Sequence, residues 1–250
     1  SKILRTLRAL LRMTFRDLLV ILMPVYPHST SSQIGEPMPI SSALFDIDGT
    51  LTSHNVWKGM MEFYSGRGER RLTHLAFVAA HYPLLLPRAL RLLKEADFRR
   101  IWTKHLPWYF RGYDEAQMKT LADWVAYEYT AKIARRDVLD ILRRHGAKGD
   151  LVALVSGAPV PMVKAIADMW DVPHAIGSPV EMKAGRYTGR MPEEACIDEL
   201  KAVYVRRYFS GNGFDVDFKN SFAYADSYSD LGLFEMVGNP VAVYPDKKLA

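Results

Sequence analysis

Ser42-Ala43-Leu44-Phe45-Asp46-Ile47-Asp48-Gly49-Thr50-Leu51-Thr52 starts as an apolar run and ends in two carboxylates, a glycine and two hydroxyls. Ser42–Ile47 has the length and apolarity of a buried strand. Asp46 and Asp48 stand two residues apart at its end. Both can therefore approach one point beyond the carboxyl edge of a sheet, where open α/β sheets bind ligands. Carboxylate oxygens suit a hard cation such as Mg2+. A carboxylate beside such a cation can attack phosphorus, because charge on the phosphoryl oxygens is neutralised. A second carboxyl, when protonated, can hand its proton to the leaving alcohol. The D-x-D-G pattern also matches part of a calcium-binding loop. Leu51 and Ser53 occupy later ligand positions of that loop, however, and no Glu closes it.

Three more short apolar runs read as strands: Leu151–Val155, Phe222–Ala225 and Val241–Tyr244. Helical patterns over 160–170 and 193–209 lie between them. Strands alternating with helices imply an α/β fold, a three-layer doubly wound parallel sheet with helices on both faces. Residues 56–146 break the alternation. They contain no convincing strand and are rich in Leu, Arg, Trp and Tyr at helical spacing, with breaks near Ser65–Gly68, Pro83, Pro87, Pro107 and Gly112. This stretch is expected to be an inserted helical cap, with the core domain formed by 42–55 and 147–250.

Residues 1–41 read as a basic amphipathic helix and a linker. Lys2, Arg5, Arg8, Arg12 and Arg16 stand against Asp17 alone, a net +4 over residues 1–28 of a chain whose total is +5. The body is thus nearly neutral, and no nucleic-acid partner is expected. Leu4, Leu7, Leu11, Phe15, Leu18 and Leu22 fill the other side of the helix over 2–23, and Pro24 ends it. Such a helix can dock on the chain's own body or a sister chain, as in a homodimer, or lie on an anionic membrane surface. Its apolar run, Leu18–Met23, is short of the roughly 20 residues that span a bilayer. Composition is that of a globular enzyme, 49% hydrophobic and 24% charged. The single cysteine, Cys196, excludes an internal disulfide and suits a reducing, cytoplasmic setting, with peripheral membrane association through the basic helix as the variant of that expectation.

Further motifs follow in order. Leu154-Val155-Ser156-Gly157-Ala158 closes the second strand with a hydroxyl and free backbone N–H groups that suit a phosphate oxygen. Lys201 lies on the next expected helix. Lys183 is a rival cation, but it precedes Gly185 in an expected hairpin. Asp226 and Asp230 follow the third strand, four apart, and can face one cation.

This set resembles the four motifs of the haloacid dehalogenase (HAD) superfamily, over residues 42–250. The resemblance implies Asp46 as nucleophile and Asp48 as general acid, then base, with its backbone carbonyl on the metal. It implies Gly49, Thr50, Ser156, Gly157 and Lys201 around the phosphate, and Asp46, Asp48, Asp226 and Asp230 around Mg2+. Asp230 would meet the ion's water shell or orient Lys201. Ser227 stands where many relatives have Gly. An insertion between the first two motifs is the place of a type 1 cap, as in subfamily IB, the phosphoserine-phosphatase-like branch. That branch is expected to carry a cap glutamate soon after the first motif. Ser53–Trp57 supplies none, and Glu62 is the nearest. Four tryptophans, Trp57, Trp102, Trp108 and Trp124, read as cap core. The implied function is Mg2+-dependent hydrolysis of a small phosphorylated metabolite through a phosphoaspartate. The alternatives are phosphotransfer through the same intermediate, or a membrane- or partner-docking protein with a vestigial site.

Overall fold

The computed structural model describes residues 39–249. The helix expected over 2–23, and the membrane or sister-chain contact expected through 1–28, lie outside the described residues. Strand β1 (Ser42–Asp46) leads into a wholly helical stretch. Its helices are α1 (Val56–Arg67), α2 (Arg71–His81), α3 (Leu85–Ala89), α4 (Glu95–His105), α5 (Glu115–Asp123), α6 (Ala131–Ile133) and α7 (Arg136–Lys148). Single 3-10 turns lie at Tyr82–Leu84 and Leu106–Phe110, and a π-helical segment, Trp124–Thr130, joins α5 to α6. Then come β2 (Leu151–Pro159), α8 (Val160–Met169), β3 (His174–Ser178) and a hairpin of β4 (Met182–Lys183) and β5 (Arg186–Tyr187). The chain ends with α9 (Leu200–Gly211), β6 (Phe222–Ala225), α10 (Leu231–Met236) and β7 (Asn239–Ala242).

The sheet is parallel throughout, in the order β3-β2-β1-β6-β7. The strands of a parallel sheet are buried on both faces, and side chains alternate between them. Ala43 and Phe45 of β1, with Val152 and Leu154 of β2, pack against Val138, Leu139 and Leu142 of α7 and Met162 and Ile166 of α8. Leu44, Ala153 and Val155 point the other way, onto Val205 and Phe209 of α9 and Leu233 and Phe234 of α10. These are the three layers. Each fully buried Leu or Phe is worth about 1.5–3 kcal/mol of transfer free energy. On the first face, Phe45 stacks on Tyr224 at 4.5 Å.

Helix α7 shows how local sequence and packing agree. Val138, Leu139 and Leu142 form one apolar stripe, Asp137 sits in the first turn, and His145 and Lys148 sit in the last. Gly149, at φ 87°, ends the helix in the left-handed conformation. His145 accepts or donates at both ring nitrogens, to Asp150 at 2.6 Å and to the Tyr224 hydroxyl at 2.8 Å, and Ser41 bonds the other Asp150 oxygen. The network ties α7 to the amino-terminal edge of the sheet.

Several expected boundaries shift. Helix α7, part of the stretch expected to be cap, packs on β1 and β2, and we propose that the chain returns to the core near Arg135. Strand β2 runs on to Pro159 rather than closing at Val155, with irregular register after Val155. Strand β7 begins at Asn239 rather than Val241. The helix expected from 193 starts at Leu200, because Asp198 takes a left-handed conformation, φ 51°, which no helix interior holds. Strand β3 was not expected from the sequence: His174-Ala-Ile-Gly-Ser carries too little apolar signal.

Both chain passages between the sheet and the cap run side by side. Ser53 N–H donates to Ile133 O at 2.9 Å, Arg135 N–H donates to Leu51 O at 2.8 Å, and Thr52 bridges Ala134. No described helix is long and apolar enough to cross a membrane.

Candidate active site

Strand order places the site. The chain leaves β1 toward β2 and β3 on one side and returns to β6 and β7 on the other, so the carboxyl ends of β1 and β6 flank the point where winding reverses. Phe45 pairs with Tyr224 and with Leu154. The residues just beyond these pairs are Asp46, Asp48, Asp226 and Ser156.

Lys201 enters from α9, fully buried. Its Nζ donates to Asp46 Oδ1 at 2.5 Å and to Asp230 Oδ1. Asp46 Oδ2 is buried with no hydrogen-bond partner among the described residues. Oxygens of Asp46, Asp226 and Asp230 all lie within 4.8 Å of one another. Thr50 Oγ1 donates to Asp226 Oδ1 at 3.3 Å. The Asp48 carboxylate stands apart from that acidic group and accepts from Val56 N–H, the first residue of α1, at 2.7 Å. Ser156 is fully buried and its Oγ accepts from Ala158 N–H at 3.1 Å; Gly157, rather than Ser156, lines the cavity. Lys183, the rival cation, is exposed and pairs with Glu181 at 2.9 Å.

Two glycine-dependent contacts hold this arrangement. Gly49 has φ 95°, and a Cβ there would lie 2.2 Å from Asp226 Oδ2. Gly49→Ala is therefore expected to cost about 1–3 kcal/mol of backbone strain. It should also cut turnover about 100-fold by displacing Asp226. Thermal unfolding and a phosphate-release assay check this, and wild-type values in both would contradict the packing. A Cβ at Gly157 would lie 2.6 Å from the Ile197 side chain, so the loop before α9 seals against β2. Ser178 Oγ bridges these loops, donating to Gly157 O at 2.7 Å and accepting from Cys196 N–H at 3.0 Å. The sequence offered no signal for Ser178.

The site is an excess of buried negative charge. Burial pushes the Asp46 carboxyl upward; Lys201 opposes, while Asp230, Asp48 and Asp226 add to the rise. Asp48 is pushed to about 6 by burial, against the Val56 hydrogen bond and Lys201. Asp226 rises through burial and the charge of Asp230. Burial alone would lower Lys201, but Asp230 and Asp46 outweigh it and hold the amine cationic. Four carboxylates against one amine, all-oxygen donors and one unpartnered buried oxygen fit a divalent hard cation, which reverses the upward pull on its ligands. Cys196 nearby is buried and its thiol is pushed up to about 12, chiefly by burial. It is a packed apolar side chain rather than a nucleophile.

A cavity of about 530 Å3 opens from these acids toward the helical stretch. Trp57, Met60, Leu85, Phe98 and Trp102 supply apolar wall, and Arg88, Glu95 and Arg99 supply charge. Trp57 and Trp102 meet edge to face at 5.4 Å, so they line the cavity as well as pack the cap, beyond the purely structural part expected of them. Glu62 does not reach the cavity; the cap acid that does, Glu95, pairs with Arg88 at 2.7 Å. Arg99 of α4 pairs with Asp198, in the loop before α9, at 2.6 Å. Lys104–Glu194 and Arg100–Glu199 add looser links at 3.7 and 3.6 Å. Arg99 and Asp198 stand 99 positions apart in the chain.

Known proteins share this architecture. A structure from Bordetella pertussis, of a protein of unknown function, superposes with TM-score 0.72 at 25% identity, covering 85% of this chain and 93% of that one. A substrate-bound phosphoserine phosphatase shares the fold at TM-score 0.52 and 16% identity, over 86% of this chain and 90% of its own. A Mycobacterium tuberculosis protein named phosphoserine phosphatase is 25% identical over 91% of this chain and 72% of its own length. The profile of the haloacid dehalogenase-like hydrolases matches residues 43–235, from the strand that carries Asp46 to the helix after Asp230, and the chain belongs to that family.

Proposed function

We propose that this hydrolase is a Mg2+-dependent phosphatase that cleaves phosphomonoesters through a phosphoaspartate on Asp46. One observation carries the reading: Lys201 fixes one oxygen of Asp46 while the other is buried, unpartnered and beside the acid cluster. In this reading Asp46 Oδ2 attacks phosphorus as the bond to the leaving alcohol breaks, and the Asp48 carboxyl gives its proton to the departing oxygen. Asp48 then takes a proton from the water that attacks the phosphoaspartate, which releases inorganic phosphate and restores Asp46. A carboxyl poised near 6 can serve in both directions.

Mg2+, held by Asp46, Asp226 and the Asp48 backbone carbonyl with Asp230 behind them, would neutralise charge on the phosphoryl oxygens. Lys201, itself buried, supplies fixed positive charge beside Asp46. Gly157 borders the phosphate, Ser156 holds the turn that presents it, and Thr50 braces Asp226. The substrate is a small phosphorylated molecule; relatives are named for phosphoserine and, over 44% of this chain, for histidinol phosphate in Neisseria meningitidis. Among the described residues Glu62 lies outside the cavity, and the cap acid that lines it, Glu95, is paired with Arg88.

Phosphate release from para-nitrophenyl phosphate tests the reading. Turnover is expected with Mg2+, background after EDTA, and recovery on adding Mg2+ back. Turnover that persists in EDTA would remove the metal from the proposal.

A further inference from the structure

Helix α2 is more apolar than its burial requires. Phe77 and His81 are its buried residues, yet Leu72, Leu75, Ala76 and Ala79, spaced i, i+3, i+4 and i+7, form a second stripe that faces outward. The stripe continues through Tyr82, Leu86, Leu90 and Leu92, all exposed; Leu72 is 83% exposed and Leu92 79%. An outward apolar stripe of this length marks an interaction surface. Its charge is one-sided. Between Glu69 and Glu95 the chain carries Arg70, Arg71, Arg88, Arg91 and Lys94 and no acid. Arg71, Arg91 and Lys94 are exposed and form no ion pair among the described residues. The patch is also continuous with the cavity, because Tyr82, Leu85 and Arg88 belong to both.

We propose that the outer face of α2 and α3 docks on an anionic lipid bilayer, and that the phosphomonoester cleaved at Asp46 is that of an amphiphilic alcohol drawn from that surface. The substrate half rests on the phosphatase reading above. Charge complementarity chooses the occupant. Leucines flanked by unpaired cations match the interface of an anionic bilayer, where apolar side chains enter the headgroup boundary and cations meet lipid phosphates. A second copy of the same patch would set cation against cation, and so would residues 1–28, whose net charge is +4. Continuity with an apolar-walled cavity accounts for the patch's position: an acyl or alkyl tail leaving the bilayer passes Tyr82 and Leu85 before its phosphate reaches Lys201.

The test uses the full chain and the double variant Leu72→Glu/Leu92→Glu, both sites far exposed and outside the catalytic machinery. Co-sedimentation is measured with vesicles of phosphatidylcholine alone and of phosphatidylcholine with phosphatidylglycerol. The wild type is expected to pellet with the anionic vesicles and not the neutral ones, and the variant to lose more than about tenfold of that binding. Hydrolysis of lysophosphatidate in the anionic vesicles should fall about tenfold in the variant, while hydrolysis of soluble para-nitrophenyl phosphate stays the same. Equal vesicle binding by both proteins would overturn the docking proposal. So would a wild-type dimer in sedimentation velocity that the variant breaks, since the patch would then serve self-association. Wild-type hydrolysis of para-nitrophenyl phosphate with none of lysophosphatidate would overturn the substrate half and leave the phosphatase reading intact. Failure on both substrates strikes that reading instead.

Discussion

Asp46→Asn should lower turnover by more than about 10^4-fold, because it removes the proposed nucleophile and leaves the rest of the site in place. The amide is nearly the same size as the carboxylate, and its carbonyl oxygen can still accept from Lys201, which sits 2.5 Å from Asp46 Oδ1. The fold should therefore survive. Stability without Mg2+ should be unchanged or slightly higher, since one of four crowded negative charges is gone. Two measurements separate loss of chemistry from loss of structure. Thermal unfolding of the EDTA-treated variant should match or exceed the wild type. Acid quenching during turnover of a radiolabelled substrate should trap a hydroxylamine-sensitive phosphoprotein in the wild type and none in Asp46→Asn. Label that persists in the variant would place the covalent intermediate on another residue.

Lys201→Met should be the more damaging change for the fold. Removing one partner of a buried ion pair leaves the other uncompensated, a loss of about 3–5 kcal/mol. Here two partners are left, Asp46 and Asp230, both buried. The deficit should depend on pH. Asp46 already binds its proton more tightly folded than unfolded, because of burial, and Lys201 is what opposes this. Without Lys201 the folded Asp46 carboxyl rises further, so the folded state binds more protons than the unfolded chain above the ordinary carboxylate range. Stability then falls as pH rises. In EDTA, the variant's deficit against wild type should be small near about pH 4, the ordinary carboxylate range, and larger at about pH 7. Mg2+ should return part of it. Urea unfolding at the two pH values reads this directly, and a deficit independent of pH would mean that Lys201 stabilises by packing rather than by charge.

How much of this was legible in the sequence depended on whether the signal was local. Asp46, Asp48 and the strand before them are local: an apolar run ending in D-x-D-G states both a buried strand and the side chains at its end. Phe222–Ala225 with Asp226 works the same way. Lys201 was legible only through the resemblance of its place to the family's third motif, and the structure brings it to Asp46 across 155 positions. The start of α9 was less legible, because the left-handed turn at Asp198 belongs to a residue type that accepts it only when contacts demand it. Strand β3 escaped because its register is imposed by β2 rather than by its own side chains. The cavity wall escaped for a different reason. Helical spacing shows which residues share a face, but not which face meets the core and which looks into a cleft, so Trp57 and Trp102 read only as packing. The partnership of Arg99 with Asp198 is a fact of tertiary structure alone.

The paired passages at 51–53 and 133–135 have a consequence for traffic through the enzyme. Two connections bonded to each other act as one strap, so the helical lid can tilt about that line but resists sliding along the sheet edge. Beyond the strap, ion pairs join α4 to the loop before α9. Lys104–Glu194 and Arg100–Glu199 are solvent-washed pairs that yield readily. Arg99–Asp198, with its carboxylate buried, is the firmer catch. In the proposed mechanism, a hinge at one margin and a latch on α4 would let the alcohol leave while Lys201, anchored below on α9, keeps its grip on Asp46.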